Sequence, residues 1–308
     1  MKLFELTMKI PQPFPYQGSK RRIARKILSY FPEKSNFRLI EPFAGSAAIS
    51  LAAATYNKAT SFVINDANEP LINLWRTIVD QPQEISLKYK NLWNEQLERE
   101  HQYYNQIREK FNRTKRPEYL LYLMARCVKA AIRYNSFGEF NQSPDNRRRG
   151  MSPASMKENI FRSSYLLRGR VTFLSEDYKD VLNVATQNDL VYMDPPYQGV
   201  CCNRDQRYIR GVKFDEFVTM LENLNRKDVP FIVSYDGRTG DKLHGEKLPG
   251  HLQLTHLEIN AGKSTQATLL GRQAITFESI YLSQALNNKI RESNFAREEQ
   301  LELAGSFQ

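Results

Sequence analysis

FRLIEPFAGSAAISLAAATYNKATSFVIND, residues 37–66, decides the fold. It opens with a short apolar strand, 37–40, closed by Glu41. A turn, PFAGS at 42–46, leads into an alanine-rich run of good helix propensity. A β-branched run, SFVIN at 61–65, then ends at Asp66. Strand, turn, helix, strand is the repeating unit of a parallel α/β sheet. The following helix carries Leu71, Leu74, Trp75 and Ile78 at helical spacing.

The turn also limits what this unit binds. A phosphate cradle built on G-x-G-x-x-G needs three glycines, and here Gly45 stands alone. That disfavours a nicotinamide or flavin dinucleotide. Asp66 nevertheless ends the next strand, 21 residues after Gly45, where a carboxylate would take ribose hydroxyls. A ribose acid without a phosphate loop suits a nucleoside lacking phosphates, of which S-adenosylmethionine is one. A plain capping acid at the start of a surface helix fits the same residues.

Outward from this unit the pattern changes and then returns. Residues 83–112 are polar and helix-like, and 118–133 predict an amphipathic helix with Leu120, Leu121, Met124, Cys127, Val128, Ala131 and Ile132 on one stripe. YNSFGEFNQSPDNRRRGMSP, 134–153, predicts a loop or irregular hairpin. Strands follow at 170–174, 190–193, 230–234, 252–259 and 276–282, with a helix at 210–225. The expectation is an α/β chain: a Rossmann-like sheet of seven strands, formed by 1–79 and 162–284, with an inserted, mainly helical domain at 80–161. The polar tail, 285–308, is left as helix or disorder.

One of these strands, 190–193, runs into DPPY, 194–197. Proline cannot donate to a ladder, so the strand stops at Asp194. The stiff loop holds a carboxylate, the Pro195 carbonyl and the Tyr197 ring in fixed relation, an arrangement suited to a planar base with an exocyclic amine. Such an amine is a poor nucleophile because its lone pair is delocalised. Two acceptors on its N–H groups draw the nitrogen toward tetrahedral geometry, and they bind more strongly as positive charge develops. Tyr197 offers a stacking face. A simple turn fits the tetrapeptide as well. An amine site and an adenosyl site on one sheet would open at the same carboxyl ends.

Composition is consistent with this. The 308 residues carry a net charge of +10, are 41% hydrophobic and 25% charged, and show no apolar run of about 18 residues that would span a membrane. The opening MKLFELTMKI lacks a secretory pattern, so a cytosolic location is expected. Cys127, Cys201 and Cys202, with four histidines, match no metal-site spacing, and no metal is expected. Residues 126–170 hold ten Lys/Arg against three Asp/Glu. This is either a solvated basic face or a surface for a polyanion.

Taken together, the motifs resemble those of the Dam-like, alpha-group DNA adenine-N6 methyltransferases. PYQGSKRRIARKI resembles the family's N-terminal cofactor motif, which implies that Tyr16 and Lys20 contact S-adenosylmethionine. EPFAGSAAI resembles its first strand-turn-helix motif, implying Glu41, Pro42, Phe43, Ala44, Gly45 and Ser46. INDANEPLINLW implies Asp66 and Asn68, and SEDY places Asp177 and Tyr178 near the adenine. DPPY implies Asp194, Pro195, Pro196 and Tyr197 as catalytic residues, with Asp194 also at the cofactor. IRYNSFGEFN, 132–141, is similar to the stretch that opens the DNA-contacting hairpin and implies Arg133, Asn135 and Asn141. Arg147, Arg148 and Arg149 are candidates for phosphate or guanine contacts.

The implied activity is methyl transfer to a flipped-out adenine in double-stranded DNA, in a restriction–modification system or as an orphan maintenance enzyme. A cognate restriction endonuclease is a candidate partner, and a monomer or weak dimer is expected. The alternatives are a cytosine-N4 or RNA amino-methyltransferase of the same fold, and a DNA-binding protein without catalysis.

Overall fold

A computed structural model of the chain describes residues 9–33, 36–196, 212–239, 242–243, 247–263 and 275–305. Its sheet contains β1 (Arg38–Glu41), β2 (Ser61–Asn65), β3 (Val171–Leu174), β4 (Asp189–Met193), β5 (Phe231–Thr239), a two-residue β6 (Lys242–Leu243), β7 (Thr255–Lys263) and β8 (Ile275–Leu282). Seven strands run in the order β3-β2-β1-β4-β5-β8-β7, and β6 pairs with the end of β5. β3, β2, β1, β4 and β5 are parallel; β8 is antiparallel to both β5 and β7 and, of the seven, alone runs against the rest. This is the Rossmann-like seven-stranded sheet expected from the sequence. β5 and β7 extend beyond their apolar cores.

Strand alternation builds the two faces. Leu39, Phe62, Ile64, Leu190, Tyr192 and Ile232 enter one buried cluster, and Ile40, Val63, Val191, Met193, Phe231 and Val233 enter the other. The first face is covered by α1 (Ala24–Leu28), α2 (Ala48–Thr55), α3 (Glu69–Asp80) and α7 (Pro153–Leu167). All eight residues of α2 are buried, which its small alanines permit. The second face is covered by α8 (Tyr178–Asn183) and α9 (Phe214–Arg226). α10 (Gln284–Gly305) follows β8, so the polar tail is helical as far as it is described.

The chain between α3 and α7 adds α4 (Pro82–Glu95), α5 (Glu100–Thr114) and α6 (Pro117–Arg126). Its core is aromatic, with Tyr89, Tyr104, Tyr122, Phe111 and Phe140 fully buried. It is continuous with the cluster around Trp75. The chain leaves and returns at one place: Ser164 Oγ donates to the Val79 carbonyl at 2.6 Å, and Arg168 to the carbonyls of Val79 and Asp80. α7 runs unbroken through position 161 and packs on both α3 and α4.

Two helical expectations are corrected. The helix-like stretch 83–112 is divided, because Gln96 is fully buried at the end of α4, donating to the Arg149 carbonyl and accepting from Tyr122 Oη. Glu98 then takes φ +71°. The amphipathic helix expected over 118–133 stops at Arg126. There the Arg126 carbonyl accepts from Asp145 N and Val128 N donates to the Ser143 carbonyl, while Lys129 and Ala130 turn left-handed. Residues distant in sequence take the backbone groups that further helical turns would need. Cys127, Val128, Ala131 and Ile132 thus leave the helix. The irregular hairpin expected downstream is present, with isolated bridges Cys127–Pro144 and Tyr134–Phe140.

Candidate active site

A cavity of about 520 Å³ opens where β1, β2 and β4 end. Glu41 closes β1, Asp66 follows β2 and Asp194 follows β4, so neighbouring parallel strands deliver three carboxylates to one rim. Asn65, fully buried, holds the rim together. Its side-chain amide donates to the carbonyls of Pro42 and Glu176 and accepts from Glu176 N, tying the loops after β1, β2 and β3.

The turn after β1 is shaped by contact. Gly45 has φ +49°, and a Cβ there would lie 2.9 Å from the Tyr16 ring. Glycine is required for both reasons. The Gly45 carbonyl accepts from Trp75 Nε1 at 2.9 Å and its N–H donates to Asp66 Oδ2 at 3.0 Å. Asp66 Oδ1 accepts from Asn68 N at 2.9 Å. Burial raises the Asp66 carboxyl above its usual range, against the pull of the Asn68 and Gly45 N–H groups. Each oxygen keeps acceptor capacity for a further donor.

Lys20 lies beside the catalytic candidate. Its side chain is 7% exposed, and its Nζ is 2.9 Å from Asp194 Oδ1 and 3.5 Å from Glu278 Oε2. Burial pushes Asp194 up to about 6; Lys20 opposes this and Glu278 reinforces it. Glu41 accepts from Ser50 N at 2.8 Å at the start of α2, and burial pushes it to about 7. Two carboxylates, Asp194 and Glu278, on one ammonium leave a locally negative site, suited to a cationic ligand. On the other wall the rings of Phe43 and Tyr178 pack against each other, centroids 5.0 Å apart, and form an apolar surface. Asp177 caps α8 through Lys179 N at 3.0 Å.

The profile of the D12 class of N6 adenine-specific DNA methyltransferases matches residues 16–290. The chain belongs to that family. It is 31% identical over 190 residues to the retron Ec67 DNA adenine methylase of Escherichia coli, covering 60% of this chain and 62% of that one. It is 26% identical over 234 residues to the DNA N-6-adenine-methyltransferase of Escherichia phage P1, covering 73% of this chain and 29% of that one. It is 30% identical over 197 residues to the type II methyltransferase M1.LlaDCHI of Lactococcus lactis subsp. cremoris, covering 60% and 66%. The matched regions thus span less than two thirds of these relatives.

In this D12-class chain the cavity gathers every cofactor residue expected from the sequence: Tyr16, Lys20, Glu41, Pro42, Phe43, Ala44, Gly45, Ser46, Asp66, Asn68, Asp177, Tyr178 and Asp194. Pro195 and Pro196 line it too. Tyr197, with Cys201 and Cys202, lies outside the described residues.

The residues expected at DNA lie elsewhere. Asn135 and Asn141 line a polar groove between the hairpin and α5, together with Arg108 and Arg113. The Asn135 side chain builds the hairpin turn, accepting from Phe137 N and Glu139 N and donating to Glu139 Oε2. Arg133 is half-buried. Arg147 and Arg148 are largely exposed and lie near Asp145, and Arg149 pairs with Glu100. The basic stretch 126–170 does not present all its cations outward. Arg126 is 2% exposed, Arg168 holds the α3 terminus, and Arg170 lies over the Phe62 ring. Charge counts along a chain do not separate such internal arginines from surface ones.

Two cavity neighbours escaped the sequence reading. Glu278 is the one acid in β8, and its only signal is a carboxylate inside an apolar strand. Its place beside Lys20 depends on β8 pairing with β5, where it opposes Gly237. Glu216 on α9 meets the rim with Lys179 and Lys213, which together hold it down to about 2. Among the described residues no metal-holding cluster of His, Cys, Asp or Glu occurs, and no helix is long and apolar enough to cross a membrane.

Proposed function

We propose that this chain transfers a methyl group from S-adenosylmethionine to the N6 amine of an adenine flipped out of duplex DNA. The observation that carries the reading is one cavity holding both Asp66 and Asp194 at the carboxyl ends of nearby parallel strands. The residues fit the donor. Asp66 has capacity for ribose hydroxyls, the apolar surface of Phe43 and Tyr178 suits a face of the adenine, and Asp194 and Glu278 favour a cation. When bound, the donor supplies a methyl group on a sulfonium, already activated for transfer.

The chain's own residues do the rest. The ionised Asp194 carboxylate and the Pro195 carbonyl accept the two amine N–H bonds, hold the nitrogen lone pair toward the methyl group and strengthen as nitrogen becomes positive. Asp194, at about 6, is matched to receive the departing proton near neutral pH. Lys20 keeps the carboxylate ionised before the amine arrives. Tyr197 is assigned the stacking face for the base.

Residues 80–161 are assigned to target recognition, with 1–79 and 162–284 as the catalytic part. Arg133, Asn135, Asn141 and Arg147 to Arg149 are assigned to DNA. The role assigned is modification alongside a cognate nuclease, or orphan maintenance; the type II methyltransferase among the relatives supports the first. A monomer or weak dimer in a prokaryotic cytosol completes the reading.

The test is nucleoside mass analysis of duplex DNA and, in parallel, RNA incubated with the purified chain and methyl-labelled donor. Label in N6-methyladenine, formed at least about 100-fold more slowly with Asp194→Ala, is expected. Label only in N4-methylcytosine, or only in RNA, would overturn the adenine assignment. Full transfer retained by Asp194→Ala would overturn the catalytic one.

A further inference from the structure

Hydrogen bonds join the hairpin to the cavity. Gln17 N, beside Tyr16, donates to the Ala130 carbonyl at 2.9 Å. Tyr134 Oη donates to Asn68 Oδ1 at 3.1 Å, with both residues buried. Asn68 N in turn donates to Asp66 Oδ1. Ile132, two residues before Tyr134, lines the cavity itself.

The Asn68 side chain is in an unusual role. Asn68 is the N-cap of α3, and an N-cap asparagine ordinarily turns its side-chain oxygen onto the first free N–H groups of its helix. Here no such bond forms. The oxygen faces the hairpin instead. The phenol is held on a stiff body: Asn112 clamps Phe140 through its carbonyl at 3.0 Å and its N–H at 2.7 Å, Phe140 pairs with Tyr134, and Asn135 locks the turn.

We propose that Tyr134 is a positioning residue: its hydroxyl holds Asn68, and through it Asp66, so that seating the hairpin on duplex DNA and filling the cavity with the methyl donor strengthen each other. This rests on the reading of the cavity as the donor site and of the hairpin as a DNA contact. The coupling is reciprocal, so the factor by which DNA tightens donor binding equals that by which the donor tightens DNA binding. Tyr134→Phe removes the hydroxyl and keeps the ring.

The test uses the full chain, S-adenosylhomocysteine as a non-reacting ligand, and a short duplex carrying the site found by methylation mapping. Four dissociation constants are measured: each ligand alone and in the presence of the other. Wild type is expected to bind each ligand several-fold tighter in the presence of the other. In Tyr134→Phe the nucleoside is expected to bind roughly two- to ten-fold more weakly, the range of one hydrogen bond. The coupling factor is expected to fall toward one, and KM for the donor to rise more than kcat falls. Tyr134→Phe combined with Asn68→Ala is expected to bind no more weakly than Asn68→Ala alone.

A Tyr134→Phe protein with a lower melting temperature but wild-type nucleoside affinity and coupling would show a structural role only and overturn the proposal. A wild-type coupling factor of one would do the same. Wild type that binds no S-adenosylhomocysteine would instead overturn the donor-site reading.

Discussion

At the cavity, Asp66, Asp194, Glu41 and Lys20 are held in place by backbone N–H groups, by each other and by burial. On the side assigned above to DNA, Arg147, Arg148 and Arg149 stand 82%, 79% and 65% exposed, with the nearby acids Asp145 and Glu100 as ion partners among the described residues. The first arrangement is preorganised: desolvation makes each charge costly, and geometry makes each one specific. The second is adaptable, because exposed ion pairs contribute little and exchange readily for phosphates. Chemistry needs the first kind of site, whereas scanning a long polyanion needs the second.

The largest expected effect lies on the preorganised side. Asp194→Ala should lower the single-turnover methylation rate by about 10²–10³-fold, the scale of losing one aimed electrostatic partner. It should leave S-adenosylhomocysteine binding within a few-fold. A rate within ten-fold of wild type would place Asp194 in the same class as the surface arginines and dissolve the contrast.

Next is Gly45→Ala. A left-handed non-glycine residue costs about 1–2 kcal/mol before any clash, and here the Tyr16 ring must also move. Calorimetry should find donor-analogue affinity at least ten-fold weaker, with DNA binding little changed.

The pH response sharpens the comparison further. Asp194 must be ionised to accept the amine, so activity should fall as pH drops through about 6. Glu278→Gln should move that acid limb to lower pH and Lys20→Met to higher pH, because Glu278 raises Asp194 and Lys20 lowers it. Stability should move the other way. Asp194 and Glu41 have folded-state values above their ordinary ones, so the native state binds more protons than the unfolded one between about pH 4 and 7. Their contribution is complete below the ordinary carboxyl range and is lost as pH rises through 6 to 7. Melting curves of Asp194→Asn should show less of this loss than wild type. Asp145 and Glu216 are lowered instead, and their contribution is lost only at more acid pH.

The smallest effects belong to the arginines. Arg147→Ala, Arg148→Ala and Arg149→Ala should each weaken DNA binding a few-fold at moderate salt. Each should also reduce the slope of log K against log salt by roughly one for every phosphate that the arginine neutralises. A single arginine costing as much as Asp194 would mark a base contact rather than a phosphate contact.

Much of the cavity was legible because its groups follow strands. Short apolar and β-branched runs located seven strands, and in a parallel sheet the residue after each strand falls on one edge, so Glu41, Asp66 and Asp194 could be brought together without coordinates. Glu278 could not, since its place depends on β8 running antiparallel beside β5. The hairpin was legible as a turn-rich stretch. The end of α6 was not, because the bonds that stop it come from residues 143 and 145.

The sequence by itself therefore determined the sheet, its order of chemistry along the chain, and the acids at its carboxyl edge. These depend on local periodicity and on a few residues whose φ or missing donor is intrinsic to their type. Tertiary structure alone decided that Lys20 sits between Asp194 and Glu278, that the Asn68 side chain turns from its helix to meet Tyr134, and which arginines face water. Each is a contact between residues far apart in sequence. Burial sets its strength, and no local pattern encodes burial for a single charged side chain.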